Sequence, residues 1–541
     1  MNAFARKHWP PVSVIGIYWL AVATLLLIAS HTTQGLLIYP LDDSYIHMAI
    51  AKNTVLHHVW GPTRHEFTSS TSTPLWISLL ALTYSVFGVS EAPSLILNLL
   101  FGTLAILASY LFLAKYVTSR LKIFVALLVV LFVTPLPALT LTGMEHVLHA
   151  LLTLFFVYLS VQILSATTKP LRRHYLLLML LAPLVTMVRY EGLFLVFVVC
   201  VLLLCRRMVF YAATLGMTAL SPVIAYGIWS TAHGWHFLPN SILLKGEIPR
   251  MSLKGAIKFL GYGALYKIES HPHILFLLIA SSLLLLFFYF KKDKADDDKK
   301  YANLIFLGCL LLHMEFTTAG SFFRYEAYLV LLGMVVLSIA ASDFLPKRRE
   351  WKFDRGKLPH YALAILLIAV IAFPFVSRAR RSLINTPQAM KNVYEQQYQM
   401  ALFIKKFYQG RTIALNDIGA VSYLADIHLL DLWGLASLEP ARLRLLKCYD
   451  TQQIYNLSER RGAVIAIAYD SWFETDKIGG LPRQWVKIGQ WTIPNNVVCG
   501  APTVSLYAVD PSASDELIRN LKEFTTELPA DVEQYGKYTE M

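Results

Sequence analysis

Apolar stretches of bilayer-crossing length recur along the first 377 residues, and this recurrence constrains the fold more than any other feature of the chain. They lie at about 12–30, 93–116, 122–140, 146–165, 175–188, 192–205, 209–232, 273–290, 301–316, 325–342 and 360–377, with one further apolar segment at 74–90. Inside a bilayer the backbone must satisfy its own polar groups, so each stretch is read as a helix. Composition agrees: 56% of the 541 residues are hydrophobic, 15% are charged, and the mean hydropathy is +0.51. An ordinary soluble chain of this length is excluded. The formal charge of +13 would suggest nucleic acid in a soluble protein, but here Lys and Arg gather in short loops between apolar runs. Such residues orient a chain in the membrane, and no nucleic-acid partner is expected. The first stretch is long enough to span and no small-residue cleavage site follows it, so it reads as a retained signal anchor.

Basic clusters at Arg6/Lys7, Lys115/Arg120/Lys122, Lys169/Arg172/Arg173, Arg206/Arg207, 291–300 and 347–357 belong on the cytoplasmic side. Between the N-terminus and the loop at 115–122 the number of crossings must then be even, yet 12–30, 74–90 and 93–116 make three. Segment 74–90 is the shortest, begins at Pro74 and closes near Gly88, so it is assigned as an interfacial or re-entrant helix. The expected fold is a polytopic α-helical membrane protein of about 11 spans with a C-terminal extracytoplasmic α/β domain. Residues 1–377 form the transmembrane domain, whose first external loop is 31–92, and residues 378–541 form the periplasmic domain. In the latter, the runs TIALND, AVIAIAYD and VSLYAVD read as short strands between amphipathic helices. Cys200, Cys205 and Cys309 lie in or beside apolar spans, whereas Cys448 and Cys499 lie in the polar tail, where an oxidising compartment permits a disulfide between them.

The first external loop carries the densest chemistry. LDDSYIHMAIAKN places Asp42 and Asp43 side by side at the membrane surface, followed by Tyr45, His47 and Lys52. A carboxylate pair there costs desolvation and mutual repulsion, which points to a cation, a hydroxyl-bearing ligand or a proton-transfer role. One acid can deprotonate an acceptor hydroxyl while its neighbour orients the acceptor or a divalent metal ion. Simple capping of the helix that follows is the competing reading. Downstream, HHVWGPTRHEFTSSTSTPLW supplies Trp60, Arg64, His65 and a hydroxyl-rich stretch. Aromatic faces suit sugar C–H surfaces, and basic or hydroxyl groups suit phosphate oxygens, although a plain turn has the same composition.

Three more turns on the same side hold charges: Glu145, His146 and His149; then Arg189 and Glu191; then Glu315, Arg324 and Glu326. Each such charge costs about 2–3 kcal/mol on insertion scales, so they are expected to face a cavity or one another. WHFLPNSILLKGE adds Asn240 and Lys245, and a lysine is suited to neutralising a departing phosphate. No Walker or dinucleotide glycine motif and no zinc spacing is present, so neither a nucleotide nor a redox cofactor is expected.

In order along the chain, DD after the first span, TSTPLW, GME, RYEG, LPNSILLK, FFRYEAYL and NDIGAVSYLADIHLLDLWGL resemble the GT-C superfamily of membrane glycosyltransferases. The nearest resemblance is to the branch of mycobacterial terminal arabinofuranosyltransferases and related bacterial envelope enzymes. The resemblance implies a polyprenyl-phosphate sugar donor, a cell-envelope glycan, lipid or protein acceptor, and an inverting displacement with an acidic base in the first external loop. It also implies a multi-pass protein of the bacterial inner membrane. Carried onto this chain, it expects Asp42 as base with Asp43 supporting, and Glu145 as the acid of the second turn. Lys245 is then expected near the donor phosphate and Arg324 at a basic position of the family. Tyr45, His47, Arg64, Arg189 and Asn240 complete the expected substrate-binding set. The chain departs from the pattern at Tyr190, where family members often carry Pro. Other readings are a transporter or flippase of an envelope precursor, for which the inverted repeats are lacking, and a lipid-linked oligosaccharide ligase or polymerase.

Overall fold

The computed structural model describes residues 3–166, 171–245, 270–291, 293–344 and 358–539. The helices are α1 (Ala3–Ser30), α2 (Asp42–His57), α3 (Pro74–Phe87), α4 (Ala92–Tyr116), α5 (Arg120–Val133), α6 (Leu136–Leu141), α7 (His146–Leu164) and α8 (Arg172–Val188). They continue as α9 (Gly192–Cys205), α10 (Val209–Ala232), α11 (Asn240–Lys245), α12 (Pro272–Lys291), α13 (Asp297–Phe316), α14 (Ala327–Phe344) and α15 (Leu358–Val393). Among the described residues, five helices are long and apolar enough to cross a membrane: residues His8–Ser30 of α1, then α4, α7, α10 and α12. Helices α3, α9 and most of α14 are apolar but shorter.

The bundle turns its apolar side chains outward. Leu20, Leu111, Phe210 and Phe290 are all more than 60% exposed, an apolar surface suited to a bilayer. Inside, polar groups tie helices together: Asn303 accepts from the Ser281 hydroxyl at 2.8 Å and donates to the Ser281 carbonyl at 2.9 Å, joining α13 to α12. Helices α1 and α4 approach through Gly102, where a Cβ would lie 2.1 Å from the Tyr18 hydroxyl. That hydroxyl in turn bonds Thr140 at 2.7 Å, so a small residue at 102 is what lets three helices share one contact.

One expected span is corrected. The stretch 122–140 is not a single helix: α5 stops at Val133 and α6 restarts at Leu136, because Pro135 and Pro137 remove two backbone donors and clash with a continuing helix. Segment 74–90 forms α3, started by Pro74 at its first turn and stopped by Gly88 at φ +83°. Helix α15 runs 36 residues, passes residue 377 unbroken and continues through a π turn (Tyr394–Tyr398) into α16 (Gln399–Phe407).

Beyond α16 the tail is an α/β domain. Its strands are β1 (Thr412–Leu415), β2 (His428–Asp431), β3 (Ile465–Ala468), β4 (Val486–Thr492), β5 (Thr503–Ala508) and β6 (Glu533–Gly536), in the order β2-β1-β3-β5-β4-β6. β1 is parallel to β2 and β3, and the remaining pairs are antiparallel. The three expected runs are strands β1, β3 and β5; β2, β4 and β6 are additional. Strand period 2 splits the sheet between two cores: Ile465 and Ile467 face one, Ala466 and Ala468 the other. The first of these cores is continuous with that of the helical bundle. The sheet is therefore packed down onto the bundle rather than tethered beside it. The tail disulfide is corrected: Cys448 and Cys499 are both free, the first exposed, the second buried with its thiol 3.2 Å from the Gln397 side-chain oxygen.

Candidate active site

Asp42 and Asp43 open α2, where the helix dipole favours acids, but their side chains part. Asp42 turns to the tail and accepts backbone N–H bonds from Gly419 at 2.6 Å and Ala420 at 2.8 Å, at the start of α17 (Gly419–Leu424). Burial, together with the nearby Asp417 carboxylate, pushes the Asp42 carboxyl well above its usual range against the pull of those two donors. Asp43 turns the other way and accepts from the Arg324 guanidinium at 2.6 Å. Ser44 fixes the turn by donating its hydroxyl to the Thr142 carbonyl. The contact with the tail is close: a Cβ at 419 would fall 2.0 Å from the Asp42 carbonyl oxygen. Gly419→Ala is therefore expected to lift the tail from α2, read as faster cleavage of the 408–418 segment by added protease in purified protein. A cleavage rate equal to wild type would remove the docking role assigned to this contact.

Asp43 faces a cavity of about 430 Å³ between the bundle and the tail. Its wall is assembled from chain-distant turns: Asp43 and His47 of α2, the hydroxyls of Ser70, Thr71, Ser72 and Thr73, and Met144 with Glu145. Arg189 to Glu191, Ser241, Thr317, Thr318, Arg324 and Tyr325 add further polar groups, and apolar side chains such as Ile46, Phe194, Val223, Phe316 and the tail's Leu435 make up much of the rest. Charges inside are cross-paired. Glu145 takes the Arg189 guanidinium at 2.6 Å through one oxygen and lies 3.6 Å from His47 Nδ1 through the other. Arg189 forks onto Glu191 at 2.5 and 3.1 Å. Both guanidiniums rest on one ring, Arg189 at 5.4 Å and Arg324 at 5.0 Å from the Tyr325 centroid. Burial pushes the His47 imidazole below its ordinary range despite Glu145 and Asp43, so it is neutral at pH 7.

Two lining hydroxyls, Thr73 Oγ1 and Ser241 Oγ, are buried without a hydrogen-bond partner. Buried polar atoms are ordinarily satisfied, so this set suits a ligand rich in hydroxyls. Chemically, the wall offers a carboxylate to accept a proton, two guanidiniums to meet negative charge and a strip of hydroxyls. Among the described residues no three His, Cys, Asp or Glu side chains are grouped to hold a metal ion, and Asp42 and Asp43 diverge rather than form a common pair of donors.

Of the residues expected from sequence, Asp43, His47, Glu145, Arg189 and Arg324 meet at this cavity. Others do not line it. Asp42 holds the tail. Tyr45 is sealed between Tyr39 and Tyr423, its hydroxyl accepting the Tyr39 N–H at 3.1 Å. Arg64 is half exposed and pairs with Asp426 at 2.5 Å. Asn240 lies behind the wall, donating to the Gly434 carbonyl at 2.9 Å. The Lys245 side chain lies outside the described residues. Sequence reasoning missed Tyr325, whose place beside Arg324 in FRYE was a usable signal, and Leu435, for which no local signal exists.

Residues 389–507 match the model of a family described as a domain of unknown function (DUF8728). No curated protein matches the chain in sequence. Among solved structures, ArnT from Cupriavidus metallidurans bound to undecaprenyl phosphate aligns with a TM-score of 0.51 at 11% identity, covering 92% of this chain and 98% of that one. An Archaeoglobus fulgidus oligosaccharyltransferase, tethered by a disulfide to an acceptor peptide containing the NVT sequon, aligns at 0.49 and 12% identity over 98% of this chain and 76% of that one. The likeness to ArnT extends through bundle and tail together, and the fold is GT-C-like.

Proposed function

We propose that this chain is a glycosyltransferase that moves a sugar from a polyprenyl-phosphate donor to a hydroxyl of a cell-envelope acceptor, with Asp43 as general base. The observation that carries the reading is the placement of the Asp43 carboxylate in a cavity that also holds a strip of hydroxyls and the Arg189 and Arg324 guanidiniums. ArnT, whose fold this chain shares, was solved with undecaprenyl phosphate bound, which supports a lipid-phosphate donor. The acceptor oxygen attacks the anomeric carbon, its proton passes to Asp43, and the bond from that carbon to the phosphate oxygen breaks. Polyprenyl phosphate then leaves with the electron pair. Positive character grows on the anomeric carbon and negative charge on the phosphate, so a carboxylate near the acceptor oxygen and a cation near the phosphate lower the barrier. Arg324 orients the base; Arg189 and Lys245 are candidates for the phosphate. A single displacement inverts the anomeric configuration. The lipid tail stays in the bilayer, the cavity and the tail domain face the extracytoplasmic side of a bacterial inner membrane, and the chain belongs with the arabinofuranosyltransferase-like branch.

The test is transfer of radiolabelled sugar from a panel of polyprenyl-phosphate sugars to crude envelope acceptor in purified membranes. One donor consumed, with an inverted product linkage, is the expected result. No donor consumed, with labelled lipid-linked precursor instead moving across proteoliposomes, would replace this reading by a flippase.

A further inference from the structure

The tail loop at residues 431–437 contributes Leu435 to the cavity wall, and it is built to be stiff. The Asp431 carboxylate, fully buried, accepts backbone N–H bonds from Trp433 at 2.8 Å, Gly434 at 3.2 Å and Ala436 at 2.6 Å, while Ser437 Oγ accepts the Asp431 N–H at 2.9 Å. Gly434, at φ +86°, has room for no side chain: a Cβ would lie 2.6 Å from the Ala441 nitrogen. The loop is then fastened to the bundle through Asn240, which is fully buried. Its side-chain amide donates to the Gly434 carbonyl at 2.9 Å and the Leu435 carbonyl at 3.4 Å, and its backbone N–H donates to the Ser69 carbonyl at 2.8 Å. Ser69 adjoins the hydroxyl strip and Asn240 adjoins Ser241, both part of the cavity wall, so one asparagine pins three wall segments together. Leu435 is the single side chain that this loop places in the wall, and among the described lining residues it alone comes from the tail.

We infer that Leu435 determines which acceptors reach Asp43, and that Asn240 is its positioning residue. The inference rests on the glycosyltransferase reading above. On that reading the donor lipid enters from the bilayer between apolar helices, and the acceptor enters from the side that the tail's α/β domain covers. What passes Leu435 is therefore the water-borne end of the acceptor, a hydroxyl-bearing carbohydrate or polyol group, and an isobutyl side chain on a rigid loop sets the width it must fit. The same apolar side chain keeps water from replacing the acceptor hydroxyl as nucleophile. Asn240, expected from sequence to touch substrate, acts instead through the loop it holds.

The experiment compares wild type, Leu435→Trp, Leu435→Ala and Asn240→Ala in purified membranes. It measures three things: transfer from the polyprenyl-phosphate sugar that wild type consumes to envelope acceptor, free sugar released to water, and binding of undecaprenyl phosphate. Leu435→Trp is expected to cut transfer about tenfold or more while undecaprenyl phosphate binding stays at the wild-type value. Leu435→Ala and Asn240→Ala are expected to raise the ratio of hydrolysis to transfer about five- to tenfold, again with lipid binding unchanged. Transfer by Leu435→Trp at the wild-type rate, or loss of undecaprenyl phosphate binding in step with transfer, overturns the inference and leaves the glycosyltransferase reading in place. A wild-type chain that consumes no donor overturns that reading and the inference with it.

Discussion

Asp43→Asn is expected to lower sugar transfer by about 10²–10⁴-fold, because the amide keeps the shape of the carboxylate and its contact with Arg324 but accepts no proton from the acceptor hydroxyl. The adjacent Asp42→Asn keeps a side-chain oxygen for one of the two N–H donors of Gly419 and Ala420, so its loss in transfer should stay within about tenfold and follow weaker tail docking. The two variants, compared at matched expression with the same donor, separate the roles. Near-complete loss in Asp42→Asn with Asp43→Asn active would reverse the assignment of the base. Equal activity in both would remove the first loop from the chemistry while leaving the cavity as a binding site.

Arg378→Met is expected to be the most destabilising single change in the bundle. Arg378 is 2% exposed and Glu326 1%; the two are paired, with no solvent to take over if either is removed. The Arg378 guanidinium also donates to the Phe323 carbonyl at 2.8 Å and the Val133 carbonyl at 3.2 Å, and Glu326 accepts the Gly320 N–H at 2.7 Å. Breaking a buried pair from one side leaves an uncompensated charge, at a cost of about 3–5 kcal/mol. That is a large part of the about 5–15 kcal/mol that holds a typical domain folded. What the pair holds is a strained turn. Ser321, Phe322 and Phe323 all have positive φ, at 44°, 60° and 65°, a region bulky residues enter only when their surroundings force it. The turn ends at Arg324, the partner of Asp43. The variant should therefore melt earlier in detergent and lose transfer together, and Arg378→Met with Glu326→Gln should regain stability that neither single change has. A melting curve for Arg378→Met that overlays wild type would dismiss the pair as a support of the site.

The helices were legible because length and hydropathy are local properties of the chain, and strands β1, β3 and β5 were legible because apolar runs bounded by polar residues are too. The turns carrying Glu145, Arg189 and Arg324 were also visible, since charges between apolar helices need a common place to go, and in this fold that place is the cavity. Which of two adjacent acids faces it was not. Successive residues on a helix point about 100° apart, and the choice between Asp42 and Asp43 depends on a partner 377 residues downstream. Asn240 misled for a similar reason: an asparagine in a loop beside a candidate lysine looks like a ligand contact, and only the fold shows its amide spent on tail carbonyls. The break at Pro135 was written in the sequence and was masked by the hydrophobicity of the residues around it.

The distance between Asp42 and its partners in the tail also orders events during synthesis. Helix α2 leaves the ribosome early, and the Gly419 and Ala420 N–H groups that receive its carboxylate follow 377 and 378 residues later. At about 5–20 residues per second that interval is roughly 20–75 s. Throughout it Asp42 lacks the tail's donors, whereas the Arg324 partner of Asp43 is made 281 residues after that acid, before the tail that supplies Leu435 to the cavity wall. A chain that ends after the last apolar helix thus has a bundle without Leu435 in the cavity wall and without the two N–H donors that hold Asp42.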